Sequence, residues 1–112
     1  MTIEFWLEDQ QFTALNGGPI FTFNESVSFI VHCKDQEEID YYWEKLRVGG
    51  DERSQVCGWL KDQFGLSWQI VPDILSELWN DADPERSGRV MTALLKMKKL
   101  DIAGLQAAFD GK

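Results

Sequence analysis

The stretch CGWLKDQFGLSWQIVP, residues 57–72, most narrows the folds open to this chain. It divides into an extended segment over residues 57–61, a turn at Asp62-Gln63-Phe64-Gly65, and a second extended segment over 67–71. Pro72 ends the second segment because proline brings no N–H to a ladder. Gly65 can take the positive φ that such a turn needs. Alternation then sends Trp68 and Ile70 to one face and Gln69 and Val71 to the other, so an amide interrupts an apolar run.

The flanking chain divides into three regions. Residues 2–7 alternate, with Ile3, Phe5 and Leu7 on one side and Glu4, Trp6 and Glu8 on the other, and residues 11–15 repeat the pattern, giving a hairpin whose turn is Asp9-Gln10. Asn16-Gly17-Gly18-Pro19 breaks the second strand, and the chain to Ser26 has the mixed aromatic and turn residues of a surface loop. Residues 27–33, VSFIVHC, form a β-branched strand that is apolar on both faces. Asp35 and Glu38 form a capping box for a helix carrying Ile39, Tyr42, Trp43 and Leu46 on one stripe, and Gly49-Gly50 stops it. Residues 53–56 form either a short strand or a lead-in to residue 57, so the order over 27–71 is β, α, β, β, β.

Beyond Pro72 the period becomes helical. Ile74, Leu75 and Leu78 mark a short helix, Pro84 sits in the first turn of a second that reaches about Lys98, and Asp101 caps a third that carries Ile102, Leu105 and Phe109. The lysines between 96 and 99 then complement a helix C-terminus.

Bulk properties exclude several functions. A chain of 112 residues, 44% hydrophobic, is one domain with a modest core. A net charge of −8 and the lack of a basic stripe argue against nucleic acid or an anionic membrane as the partner. No leader-like start and no apolar run long enough to span a membrane is present, so the expected location is the cytoplasm. Cys33 and Cys57 lack CxxC spacing and are expected as free thiols, packed as small core residues.

Leu15-Asn16-Gly17-Gly18-Pro19, Val27-Ser28-Phe29 with His32-Cys33, the Asp35-Gln36 helix start, residues 57–62, residues 64–72, and Met91 through residues 97–101 together resemble the PhnB-like family. That family belongs to the vicinal oxygen chelate superfamily, alongside glyoxalases and bleomycin-resistance proteins, and its members often carry the description 3-demethylubiquinone-9 3-methyltransferase. The resemblance implies an α+β fold in a single domain over 1–112. A hairpin from a partial first module (1–16) precedes one βαβββ module (27–72), and a helical extension (73–112) follows. Full-length relatives place a further strand, helix and strand ahead of the first hairpin. The hairpin here would leave an open edge and an uncovered apolar face, which implies a homodimer, with strand exchange as one way to close it.

The resemblance also implies where a site would lie. Superfamily metal ligands fall on the first and last strands of each module, and the matching positions here are Ser28 and Gln69, with Asn16 offered by the partial module. A hydroxyl and an amide are weak donors for divalent transition metals, so no catalytic metal is expected. These neutral groups instead suit a small organic ligand, with Trp59 or Trp6 stacking on it and His32 at the cavity mouth; bonding to neighbouring backbone would satisfy them equally well.

His32, the single histidine, has no nucleophile or acidic motif near it in sequence, and a structural role at a strand end is favoured over catalysis. A methyl donor needs a glycine-rich turn that opens a helix, and neither Gly17-Gly18-Pro19 nor Gly49-Gly50 provides one. The expected function is therefore small-molecule binding with no cofactor and no assigned catalytic residue. The alternatives are a metal-dependent glyoxalase- or dioxygenase-like enzyme, the methyltransferase of the family description, and a module for dimerisation alone.

Overall fold

In the computed structural model, which describes residues 1–112, a mixed α+β chain runs from a hairpin through a small sheet to three helices. Strands β1 (Thr2–Leu7) and β2 (Gln10–Leu15) pair antiparallel with Phe5 opposite Phe12. Their turn is Glu8-Asp9, one residue earlier than the alternation suggested, because Glu8 accepts the positive φ (54°) that a two-residue loop requires.

The second sheet has the order β3 (Ser28–Cys33), β5 (Ser67–Pro72), β4 (Trp59–Lys61). β3 runs parallel to β5, with Ser28 beside Ser67 and Ile30 beside Gln69, and β4 runs antiparallel to β5, with Trp59 opposite Gln69. The turn between β4 and β5 forms as the sequence dictates: Asp62 Oδ1 accepts from the N–H groups of Phe64 and Leu66, and Gly65 has φ 85°.

Helix α1 (Gln36–Arg47) lies between β3 and β4 in the chain. Asp35 Oδ1 caps it by accepting from Glu38 N (2.9 Å), while the Glu38 carboxylate accepts from Lys34 N (2.8 Å) rather than from the cap residue itself. Ile39 and Trp43 are buried against Cys33, Leu60 and Ile70, with Val31, Tyr42, Leu46 and Trp68 packed around them. Gly49 and Gly50 close the helix, and a Cβ at Gly50 would collide with the carbonyl oxygen of Lys61.

Residues 53–56 do not form a strand. A 3-10 turn (Glu52–Ser54) leads to a single bridge at Val56, and Cys57 belongs to a tight turn rather than to β4. Cys57 (φ 53°) and Gly58 (φ 87°) both take left-handed backbone, and their N–H groups donate to Met97 O (2.8 Å) and Lys98 O (2.9 Å). The second strand of the βαβββ order, the one after the helix, is thus reduced to one bridge at Val56, because the turn's donors face the C-terminal segment.

Helices α2 (Ile74–Trp79), α3 (Pro84–Leu94) and α4 (Ile102–Asp110) bury Leu78, Val90, Leu94, Leu100 and Leu105 in a second core, joined by Val71 from the sheet and Cys57 from the turn before β4. α3 ends at Leu94, so Lys96, Lys98 and Lys99 lie beyond the helix. Asp101 makes no side-chain cap bond to α4. Gln36 does that work: its Oε1 accepts from Ile102 N (2.8 Å), and its Nε2 donates to Leu100 O (3.0 Å) and Asp40 Oδ1 (3.0 Å).

The hairpin extends from this body. It meets the sheet through Phe12, which stacks on Phe5 and meets Phe29 edge-on, while Ile3, Trp6, Leu7 and Leu15 stay exposed. The radius of gyration is 16.2 Å, against about 13 Å for a compact chain of this length. No helix is long and apolar enough to cross a membrane.

Candidate functional site

The three-stranded sheet has two faces of different character. Val31, Cys33, Leu60, Trp68 and Ile70 point to α1 and belong to the first core, and Phe29 shares that face by alternation. Ser28, Ile30, His32, Trp59, Lys61, Ser67, Gln69 and Val71 occupy the other face by the same alternation. The C-terminal helices cover only the Val71 end of it, and Ile30 remains half exposed.

On that open face Gln69 Nε2 donates to Ser28 Oγ at 2.9 Å, from β5 to β3. Trp59, half-buried, is Gln69's cross-strand partner on β4. The structure therefore joins three of the five residues singled out from the sequence. His32 is exposed and lies further along β3, opposite Val71, in a pocket of about 460 Å³ formed with α2 along its length. Asn16 ends the hairpin, where its N–H donates to Met1 O (3.1 Å), and no hydrogen bond joins it to the other four. Trp6 is exposed on the hairpin side opposite Phe5 and Phe12.

Ser67 and Lys61 were missed by the sequence reading. Ser67 is buried (1% exposed) with its Oγ unpartnered, and Lys61 is its direct cross-strand neighbour. Alternation from Gln69 and from Trp59 was the signal that could have found them. Both line a cleft of about 710 Å³ with Glu25, Asp51, Arg53, Ser54 and Trp59. The Lys61 ammonium pairs with Glu25, and this hydrogen bond holds the Glu25 carboxyl below the usual carboxylate range.

A second cleft, of about 560 Å³, opens between the hairpin turn, β3 and α1. Its walls include Leu7, Phe12, Phe29, Tyr42, Leu46 and Trp68, on the helix side of the sheet.

The side chains of this one chain supply neither a metal-ligand cluster nor a glycine-rich turn that opens a helix. No group of three or more His, Cys, Asp or Glu side chains stands where it could hold a metal ion. The two groups at the ligand positions, Ser28 and Gln69, are neutral, weak metal donors and are hydrogen-bonded to each other. Gly17 and Gly18 precede an exposed bend rather than a helix, and Gly49-Gly50 follows one. The two thiols are unpaired; Cys33 is buried, and burial pushes its pKa up to about 11, so it is inert at neutral pH.

Comparison with known proteins places the chain. Among solved structures it is similar to a Bacillus cereus protein that carries the names PhnB and 3-demethylubiquinone-9 3-methyltransferase, at 29% identity and a TM-score of 0.57. The similarity covers 64% of this chain and 64% of that one, so this chain spans under two thirds of its neighbour's length. No curated protein matches. A family model described as 3-demethylubiquinone-9 3-methyltransferase matches residues 1–71, from the hairpin to the end of the sheet, and leaves the C-terminal helices outside. With 71 of 112 residues matched, the chain belongs to this PhnB-like, 3-demethylubiquinone-9 3-methyltransferase family.

Proposed function

We propose that this chain is a PhnB-like binding protein that takes a small organic ligand on the open sheet face carrying Ser28, Trp59 and Gln69, without a catalytic metal. The observation that carries the reading is the Gln69–Ser28 hydrogen bond, beside an indole, on the sheet face that the C-terminal helices cover only at its Val71 end. The pair is neutral and pre-positioned, and it keeps the Gln69 amide oxygen and the Ser28 hydroxyl hydrogen for a ligand. An apolar wall with a few fixed polar groups is the usual composition of such a site.

The same reading includes a homodimer in the cytoplasm. Ile3, Leu7, Trp6 and Leu15 on the hairpin, with Ile20 and Phe21 on the segment after it, are exposed apolar groups of a kind that association normally covers. A two-stranded hairpin is marginal by itself, so a second copy that packs on it or pairs with its edge also stabilises it. The cytoplasmic location rests on the two unpaired thiols.

Native mass spectrometry of freshly purified protein tests the proposal, with expected peaks for a two-chain assembly that retains a small organic molecule. Stoichiometric zinc, manganese or iron in the same sample would overturn the metal-free reading in favour of an enzyme. A sharp monomer by sedimentation velocity at micromolar concentration would sink the dimer.

A further inference from the structure

An unsatisfied buried hydroxyl lies beside the Ser28–Gln69 pair. Ser67 Oγ is without a hydrogen-bond partner although the residue is 1% exposed, an arrangement that is unfavourable unless something fills it. Lys61, directly across the ladder, has its Cβ about 5 Å away by strand geometry. Both side chains line the 710 Å³ cleft, and Trp59 forms part of its wall.

The other polar groups of the cleft are engaged. Arg53 is paired with Asp51 (Nη2 to Oδ2, 3.1 Å), and Ser54 Oγ donates to Asp51 O and accepts from Lys61 N (3.0 Å). Only Glu25 holds the Lys61 ammonium, and its side chain is 64% exposed on the segment between β2 and β3. An ion pair with so exposed a partner contributes little, so a competing carboxylate can replace it at small cost.

We propose that Glu25 stands in for a ligand carboxylate, and that the molecule taken at this face is a small organic anion. Its carboxylate accepts from Lys61 Nζ and Ser67 Oγ, its apolar body lies against Trp59, and a neutral polar group meets Gln69 and Ser28. Glu25 and Asp51 balance Arg53 and Lys61 in this cleft, so it is neutral within a chain of net charge −8, and the Lys61 ammonium released from Glu25 selects an anion over a neutral isostere. The inference rests on the ligand-binding reading above and names its substrate class.

The test is an NMR titration of the full chain with benzoate and with its neutral twin benzamide, followed at the Trp59 indole and Gln69 side-chain signals. Benzoate is expected to shift these signals. Lys61→Met and Ser67→Ala should each weaken benzoate about tenfold and benzamide by clearly less, since only the carboxylate is charged. Glu25→Gln, a change on an exposed side chain that folding tolerates, should tighten benzoate several-fold. Equal binding of the two probes, or unchanged benzoate affinity in Glu25→Gln, would overturn the carboxylate inference and leave the ligand site standing. No shift at either signal with either probe would overturn both.

Discussion

Gln69 Nε2 donates to Ser28 Oγ at 2.9 Å, tying the middle strand of the sheet to its parallel neighbour on the side that α1 leaves open. Both residues are half-buried. The bond is therefore reachable from outside, and it orients an amide without filling a core position.

Gln69→Ala should remove retained ligand from the native mass spectrum and leave the fold in place. A neutral, partly buried hydrogen bond contributes about 1 kcal/mol, or roughly 4 °C in Tm for a domain of this size. Thermal unfolding followed by circular dichroism, set beside ligand retention, separates the roles. A variant that loses stability and ligand in proportion would assign Gln69 to the architecture alone.

Gln36 joins the two cores. Its amide bonds Leu100 O, Ile102 N and Asp40 Oδ1 from the first turn of α1, where it satisfies an N–H at the start of α4 that Asp101 leaves uncapped. Gln36→Ala should destabilise the chain by about 1–3 kcal/mol, because the Leu100 carbonyl and the Ile102 N–H lose their partner together. Gln36→Glu should recover only the acceptor half, and urea unfolding of the two variants measures the difference.

The two thiols should differ sharply in reactivity. Only thiolate attacks a disulfide reagent, and burial holds Cys33 protonated up to about pH 11. Cys57 is half-buried in the turn before β4. At pH 8 a disulfide reagent should label one cysteine in the native protein, which peptide mapping will identify as Cys57, and both in denaturant. Rapid labelling of both under native conditions would mean that the first core opens.

Much of the architecture was legible because it is local. The alternation of residues 67–71, the Asp35 cap and the Gly65 turn each depend on neighbours within a few positions, and each forms as the residues dictate. The Cys57-Gly58 turn was not legible. Its left-handed backbone is held by carbonyls at Met97 and Lys98, some forty positions on, and no local pattern announces such a bond. The Asp101 cap failed for the same reason, since Gln36 reaches the α4 terminus first. At the candidate site, the nearness of Ser28, Trp59 and Gln69 to one another was legible from strand alternation and the family resemblance. Ser67 stood at the start of the second extended segment, but no local pattern marks a strand-end serine as buried without a partner.

Acid should weaken the fold through its exposed carboxylates. Hydrogen bonds from Lys99 and then Gln36 hold Asp40 below its ordinary value of 3.8, a hydrogen bond from Arg47 lowers Glu44 from 4.5, and one from Arg53 lowers Asp51 from 3.8. For a carboxyl with a depressed folded pKa, the stabilisation is complete above its unfolded pKa and disappears as pH falls through the folded one. Stability should accordingly be level from neutral pH down to the ordinary carboxylate values and decline below them. Each pair is at the surface, so each step is small and salt should shrink it further. Among the pairs, Asp40–Lys99 (2.9 Å) has the most to lose, since Gln36 shares it and links it to the α4 terminus. Asp40→Asn should flatten the acid limb of the urea-midpoint profile between pH 5 and pH 3 more than Glu44→Gln does. A profile for Asp40→Asn that parallels the parent protein would show that this pair carries none of the pH dependence.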